Sequence, residues 1–269
     1  MSEGGISMAL LEIKNVDISY GKRVTVKNVS LDLNAGEICS IVGESGSGKT
    51  TVIRAVLGLI AGGGKVTAGD IIYEGRSLLK LSQAEWRDLR GHDISMIFQD
   101  SGAMMNQTRL IGNSYVEYIR THENISKKEA WDKGVAMLQR MRLPDCDRIM
   151  NSYPFQLSGG QRQRVGIAMG MTYQPRLLLA DEPTSALDVT TQAQIVRQFM
   201  DLRDEYGTSI IIVTHDLGVA SYMGEKIVVM RNGEIVDQGD RDHMLNHSQN
   251  DYTNMLLDAV PSLGGRRYV

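Results

Sequence analysis

The sequence predicts an α/β fold with a helical subdomain inserted into it, and three observations carry that reading. Apolar runs such as Leu177–Ala180 and Ile210–Val213 are continuous and strand-sized, as expected of strands buried on both faces. Glycine (28 residues) far outnumbers proline (5), and several glycines stand where an apolar strand hands over to a helical pattern. From about Leu110 to Met150 the strand signals stop, and apolar residues recur at helical spacing instead.

Taken in order, Leu11, Ile13, Val16, Ile18 and then Val26, Val29, Leu31, Leu33 outline two half-buried strands. Glu37–Val42 is a third strand that runs directly into Gly43–Thr50, and Val52–Leu59 continues as a helix. Gly69–Tyr73 and Ile94–Phe98 are further short strands. In the helical stretch Tyr115, Ile119, Met137, Leu138 and Met141 share the periodicity, with the polar segment Thr121–Lys128 between two helices. Parallel α/β patterning then resumes: helix Ser158–Met171, strand Leu177–Ala180, helix Thr190–Tyr206 and strand Ser209–Thr214. Lys226–Arg231 and Glu234–Asp237 flank Asn232-Gly233, a hairpin turn signal, and two short helices close the chain. No internal repeat or low-complexity tract interrupts this order.

Composition narrows the function classes. At 269 residues the chain holds roughly one or two domains and ample core. Lys and Arg (29) nearly balance Asp and Glu (32), so the net charge of −3 leaves no nucleic-acid footprint. The two cysteines, Cys39 and Cys146, are far apart without a CxxC, which excludes a disulfide framework and fits a reducing compartment. No apolar run approaches the ~20 residues of a membrane span. Met1–Met8 lacks the basic flank and apolar stretch of a signal peptide, so the expectation is a soluble, cytoplasmic protein.

Three segments carry chemistry. Gly43, Glu44, Ser45, Gly46, Ser47, Gly48, Lys49 and Thr50 fit GxxxxGK[ST], with a strand before and a helix after. Backbone N–H groups of such a loop converge on phosphate oxygens, and the helix N-terminus adds its positive dipole end. Lys49 then reaches the β- and γ-phosphates, and the Thr50 hydroxyl suits Mg²⁺. Leu177–Ala180 leads into Asp181 and Glu182. An acidic pair after a strand is ordinarily a solvated strand end; beside a phosphate loop, Asp181 suits the Mg²⁺ shell and Glu182 suits a general base. Leu157-Ser-Gly-Gly-Gln161 opens a helix with Ser158 as N-cap, a second helix start suited to an anion.

Together these segments resemble an ATP-binding cassette (ABC) ATPase, and the likeness runs from about Leu10 to Pro261. Tyr20 stands where that family stacks an aromatic on adenine. Gly43–Thr50, with Thr51 after it, matches the Walker A loop, and Gln99 matches the Q-loop glutamine that senses Mg²⁺ and the γ-phosphate. Ser158, Gly159, Gly160 and Gln161 match the signature motif, and Asp181 and Glu182 match Walker B and the catalytic glutamate. Ser185-Ala-Leu-Asp188 matches the D-loop, and His215 the switch histidine. The resemblance implies a P-loop NTPase fold of ABC ATPase type, with a mixed central sheet, an N-terminal antiparallel β-subdomain and the inserted helices. It places a nucleotide-binding domain at 8–261, with core segments 10–105 and 155–240, a helical insertion 106–154 and a short tail 240–269. It further implies ATP and Mg²⁺ as ligands, with Thr50, Gln99 and Asp181 on the metal. Hydrolysis would rest on Glu182, His215 and Gln99. The nucleotide would lie between one chain's Walker A and its partner's signature motif, with Ser158 and Gly160 serving the partner's nucleotide; Asp188 is a further nucleotide-binding residue the resemblance implies.

Finer motifs resemble the peptide/nickel importer subfamily: Met96-Ile-Phe-Gln-Asp100, Tyr153-Pro-Phe, Gln192-Ala-Gln-Ile195 and Thr214-His-Asp-Leu-Gly218. Lys65–Gly75 and Arg87–Gly91 look like the first of that subfamily's two ATPase subunits, and the ending Asp251-Tyr-Thr with Leu256–Pro261 resembles its tail. The partners so implied are a second, non-identical ATPase subunit, two integral permeases on which the inserted helices dock, and an extracytoplasmic binding protein. The chain would sit peripherally on the cytoplasmic face of the cell membrane. The alternative is a soluble ABC ATPase in iron–sulfur assembly, DNA repair or translation, without the coiled coils, zinc modules or tandem cassettes usual there. Departures occur at Ser101–Gln107, where the family runs Pro-Met-Thr-Ser-Leu-Asn-Pro, and at Gln161, where methionine is common. About thirty residues follow Gly239, too few for a regulatory domain, and the missing cysteine-rich tail predicts no iron–sulfur cluster. His243 and His247 stand at i, i+4, but two histidines alone make an incomplete metal site. Met137 and Met141 are expected in the core, with docking, alongside Met104 and Met105, as the lesser reading.

Overall fold

The computed structural model describes residues 9–260 except Ala186, and beyond them the backbone of 262–263 and 266–267. The Met1–Met8 segment, Pro261 and the D-loop alanine, Ala186, lie outside the described residues. The chain forms two compact units: residues up to Arg87 together with those from Gly207, and Asp88–Tyr206.

In the first unit, β1 (Leu11–Tyr20) and β2 (Arg23–Leu33) form an antiparallel hairpin in register from Leu11↔Leu33 to Tyr20↔Arg23. After β3 (Ile38–Val42) and α1 (Lys49–Val56), β4 (Lys65–Tyr73) pairs antiparallel with the other edge of β1, and β5 (Arg76–Ser77) pairs with β4. The expected antiparallel N-terminal sheet is therefore present, in the order β2-β1-β4-β5. Several boundaries differ from expectation, and two have a local cause. β4 starts at Lys65 rather than Gly69, because a bulge in β1 at Asn15 and Val16 faces one residue inside β4, Gly69. Its φ is +79°, and a Cβ there would stand 2.3 Å from the Lys14 carbonyl. Helix α1 starts at Lys49 rather than Val52, directly after Gly48 in the left-handed conformation. Helix α2 (Gln83–Leu89) follows.

In the second unit, β6 (Ile94–Ile97) is followed by α3 (Ser101–Met104), α4 (Ile111–His122), α5 (Lys127–Arg140), α6 (Cys146–Met150) and α7 (Gly159–Met171). Then come β7 (Leu177–Asp181), parallel to β6 from Ile94↔Leu177 to Ile97↔Ala180, and α8 (Val189–Tyr206). Tyr115, Ile119, Met137, Leu138 and Met141 are all buried, so the methionine pair is core, whereas Met104 is exposed. Each such buried side chain contributes roughly 1.5–3 kcal/mol. Helix α5 starts on a reciprocal cap between Ser126 and Glu129. A ring cluster of His92, Tyr118, His122 and Tyr173, with the Lys133 ammonium 4.4 Å from the Tyr173 ring centre, packs the end of α4.

The chain re-enters the first unit with β8 (Ser209–Thr214), α9 (Leu217–Met223), β9 (Lys226–Arg231) and β10 (Glu234–Asp240). β3 lies between β8 and β9 and is parallel to both, while β10 returns antiparallel to β9 through Asn232 and Gly233, both with positive φ. All residues of β3 and β8 are buried, which explains their unbroken apolar runs. A single π-turn at His243–His247 and α10 (Asp251–Asp258) follow. His243 and His247 lie 3.3 and 3.4 Å from the carboxylates of Asp237 and Asp242. Among the described residues no helix is long and apolar enough to cross a membrane, and Cys39 and Cys146 are free and buried.

Candidate functional site

β3 and β8 are neighbours whose last residues, Val42 and Thr214, pair directly, so the Gly43–Thr50 loop and His215 leave the carboxyl ends of adjacent parallel strands. That is the edge at which open α/β sheets bind ligands. Gly43 has φ +153°, and a Cβ on it would meet the Met230 carbonyl oxygen at 2.2 Å, so only glycine lets the loop leave β3 here. Gly48 is the N-cap of α1 at φ +103°, without a side-chain cap, which leaves the first-turn N–H groups of α1 facing the loop.

Lys49 is buried at the start of α1 and folds back over the loop. Its Nζ donates to the Gly43 carbonyl (2.6 Å), the Glu44 carbonyl (2.8 Å) and the Ser47 hydroxyl (3.4 Å). Gly233, from the β9–β10 turn, donates its N–H to the Ser47 carbonyl at 3.0 Å. Ser45 and Gly46 form the exposed tip, and Thr50 and Thr51 lie in the first turn of α1. Tyr20 ends β1 with its ring against the glycine run 62–64; a Cβ on Gly64 would fall 2.7 Å from its Cε1. His215 is exposed, and Asp216 beside it caps α9 by accepting from the N–H groups of Gly218 (2.8 Å) and Val219 (3.2 Å).

The second unit gathers another set. β7 ends in Asp181, which is only 3% exposed, and Glu182 follows at φ +43°, an uncommon conformation for a non-glycine residue. Gln99, two residues beyond β6, donates its amide to the Glu182 carboxylate at 3.2 Å and to the Ser185 hydroxyl at 3.3 Å. The parallel pairing of β6 with β7 brings these side chains together from 83 residues apart. Ser158 caps α7, its hydroxyl accepting from the Gln161 N–H (3.2 Å) while the Gln161 side chain accepts from the Ser158 N–H (3.0 Å). Gln161 thus completes a capping box, which methionine cannot do. Gly159 lies at the start of α7, and Gly160 packs so tightly that a Cβ would stand 2.9 Å from the Thr191 methyl group. Thr191 in turn donates its N–H (2.9 Å) and its hydroxyl (2.7 Å) to Asp188, whose carboxyl is held below its ordinary pKa by those two bonds.

One contact at the loop was missed in the sequence reading. The Glu44 N–H donates to the Tyr252 hydroxyl of α10 at 3.0 Å, across 208 residues. The Asp251-Tyr-Thr segment was visible only as a tail resembling a subfamily, with no signal linking it to the loop.

Comparison with known proteins shows the family. The family model described as ABC transporter matches residues 26–185. The chain is 40% identical over 259 residues to the dipeptide transport ATP-binding protein DppD of Lactococcus lactis subsp. cremoris, covering 94% of this chain and 74% of that one. It is 40% identical over 260 residues to the oligopeptide transport ATP-binding protein OppD of Haemophilus influenzae, covering 95% and 80%. A dimeric ATP-binding cassette in a post-hydrolysis state, bound to ADP and Pi, superposes with a TM-score of 0.76 at 31% identity over 86% of this chain and 98% of that one. A family match over more than half of the sequence and such identity over nearly all of it lead to one conclusion: the chain belongs to the ABC transporter family.

Proposed function

We propose that this chain is the ATP-hydrolysing subunit of an importer for short peptides, working with separate permease subunits at the cytoplasmic face of the cell membrane. The observation that carries the enzymatic part is the hydrogen bond between Gln99 and Glu182 at the end of a buried strand, an amide positioned on a candidate base. Likeness to subunits named for dipeptide and oligopeptide transport supports the peptide class over nickel.

In this reading the N–H groups of Gly46–Thr51 and the Lys49 ammonium bind the phosphates, with Lys49 exchanging the loop carbonyls for phosphate oxygens. Tyr20 stacks on the base. Glu182 accepts a proton from the attacking water, Gln99 orients that water, and His215 contacts the γ-phosphate. Ser158, Gly159, Gly160, Gln161 and Asp188 serve the nucleotide of a partner cassette, a second and non-identical ATPase subunit. Thr50, Gln99 and Asp181 would each offer Mg²⁺ an oxygen of the kind that ion prefers, and Asp181 is a buried carboxylate at a strand end. Mg²⁺, when bound, neutralises charge developing on the phosphate oxygens.

The test is affinity isolation of the Glu182→Gln chain from its native membranes with ATP and Mg²⁺. Recovery of two integral permeases and a second ATPase is the expected result. Recovery of soluble factors alone would sink the importer reading and promote a soluble ABC ATPase.

A further inference from the structure

The C-terminal helix reaches the phosphate loop through one peptide unit. The N–H of Glu44 and the carbonyl of Gly43 belong to the same plane and point in opposite directions, because the bond between them is trans and stiff. Tyr252 holds the first at 3.0 Å, and Lys49 Nζ holds the second at 2.6 Å. Any rotation of that plane moves both ends together. The Tyr252 hydroxyl therefore sets where the Gly43 carbonyl points, and with it where Lys49 rests.

Tyr252 is itself firmly placed. It is 4% exposed, and the Arg231 guanidinium lies 4.6 Å from its ring centre. Asn250 caps α10 by accepting from the N–H groups of Tyr252 (3.0 Å) and Thr253 (3.2 Å), and the Thr253 hydroxyl donates to Asp237 at 2.9 Å. One buried apolar cluster joins Tyr252 and Leu257 to Val42, the residue before Gly43, and to Leu217, two residues after His215. The helix thus backs both strand ends from which the loop and His215 emerge.

We propose that Tyr252 is a positioning residue for nucleotide binding, its hydroxyl acting through the Gly43–Glu44 peptide to orient the phosphate loop and Lys49. This rests on the reading of Gly43–Thr50 as the nucleotide phosphate loop. Tyr252→Phe removes the hydroxyl and keeps the ring, its packing and its contact with Arg231. Binding of fluorescent mant-ADP with Mg²⁺ to the full chain should weaken about three- to tenfold, the range of one lost hydrogen bond. The KM for ATP should rise by a similar factor, and by more than kcat falls. A purely structural role would lower thermal stability without that split.

Lys49→Ala, run alongside, separates the two ideas. If Lys49→Ala loses mant-ADP while Tyr252→Phe keeps parental affinity, the Tyr252 role is overturned and the loop reading stands. If Lys49→Ala also binds as the parent does, the loop reading itself fails. Should Tyr252→Phe unfold at the assay temperature, 3-fluorotyrosine at position 252 replaces it, since it keeps the ring and hydroxyl but weakens the oxygen as an acceptor. A measurable loss of affinity is then expected, and parental affinity overturns the proposal.

Discussion

Gln99 donates its side-chain amide to the Glu182 carboxylate across 3.2 Å, although the two residues follow different strands of the second unit. Glu182 adopts φ +43°, so its side chain leaves the end of β7 at an angle that extended backbone would not allow. Backbone strain of this kind concentrates at functional sites. Removing the carboxylate charge with Glu182→Gln should lower steady-state ATP turnover by about 10²–10⁴-fold, the span of a lost general base. On the proposed roles Gln99→Ala should cost less, about tenfold, as the loss of an orienting amide rather than of the proton acceptor. Phosphate release by the purified proteins decides between these roles: a Glu182→Gln chain that turns over at the parental rate cannot have lost its base.

Lys49 supports a second prediction. Its ammonium is buried and bound to the carbonyls of Gly43 and Glu44, so the cation is held directly over the loop. A charge-assisted hydrogen bond contributes about 1.5–3 kcal/mol, so Lys49→Ala should weaken nucleotide binding roughly 10- to 100-fold. Calorimetric titration with ADP and Mg²⁺ measures this directly. Unfolding temperature in the absence of nucleotide should fall as well, because two loop carbonyls lose a cationic donor.

The start of α7 gives a third. Ser158 and Gln161 exchange hydrogen bonds at 3.2 and 3.0 Å. Ser158→Ala should cost about 1 kcal/mol, or roughly 2–4 °C of Tm in a chain of this length. Gln161→Met removes only the returning bond and should cost less. Circular dichroism melts of both variants in the absence of nucleotide test the order: equal losses would mean that the returning bond contributes as much as the Ser158 hydroxyl, and an unchanged Tm for Gln161→Met that the side chain of Gln161 carries none of the cap.

What could be read ahead of the structure follows from range along the chain. The phosphate loop was legible because strand, glycines, lysine and helix are contiguous, and the cap at Ser158 because a serine stands directly before the helical pattern; the returning bond from Gln161 was not. The five buried residues of β3 and six of β8 announced themselves as apolar runs, since parallel strands covered on both faces need no polar alternation. Gly69 misled the reading of β4, because a glycine within a strand looks like a boundary until its partner strand reveals a bulge. Family likeness gave Gln99 and Glu182 their roles without the bond between them, and nothing in the sequence linked Tyr252 to Glu44. Each contact depends on strand order bringing together segments 83 or 208 residues apart, and no local pattern encodes that.

Asp237 carries the pH dependence of the tail that holds Tyr252. Its carboxyl is largely buried, and burial alone would raise its pKa. The hydroxyls of Ser248 and Thr253 and the ring of His243 outweigh burial and hold it below its ordinary value of 3.8. A carboxyl whose pKa is depressed on folding contributes stability that is present above the unfolded value and lost as pH falls through the folded one. The contribution is therefore full at neutral pH and fades below about 3.8. Asp237→Asn keeps an acceptor oxygen but has no charge to lose. The gap in Tm between parent and Asp237→Asn should be widest near pH 7 and close as the pH is lowered towards 3, as read by melts at half-unit steps. A gap that stays constant over that range would show that the folded protein does not favour the ionised form, and that the α10 anchor does not depend on it.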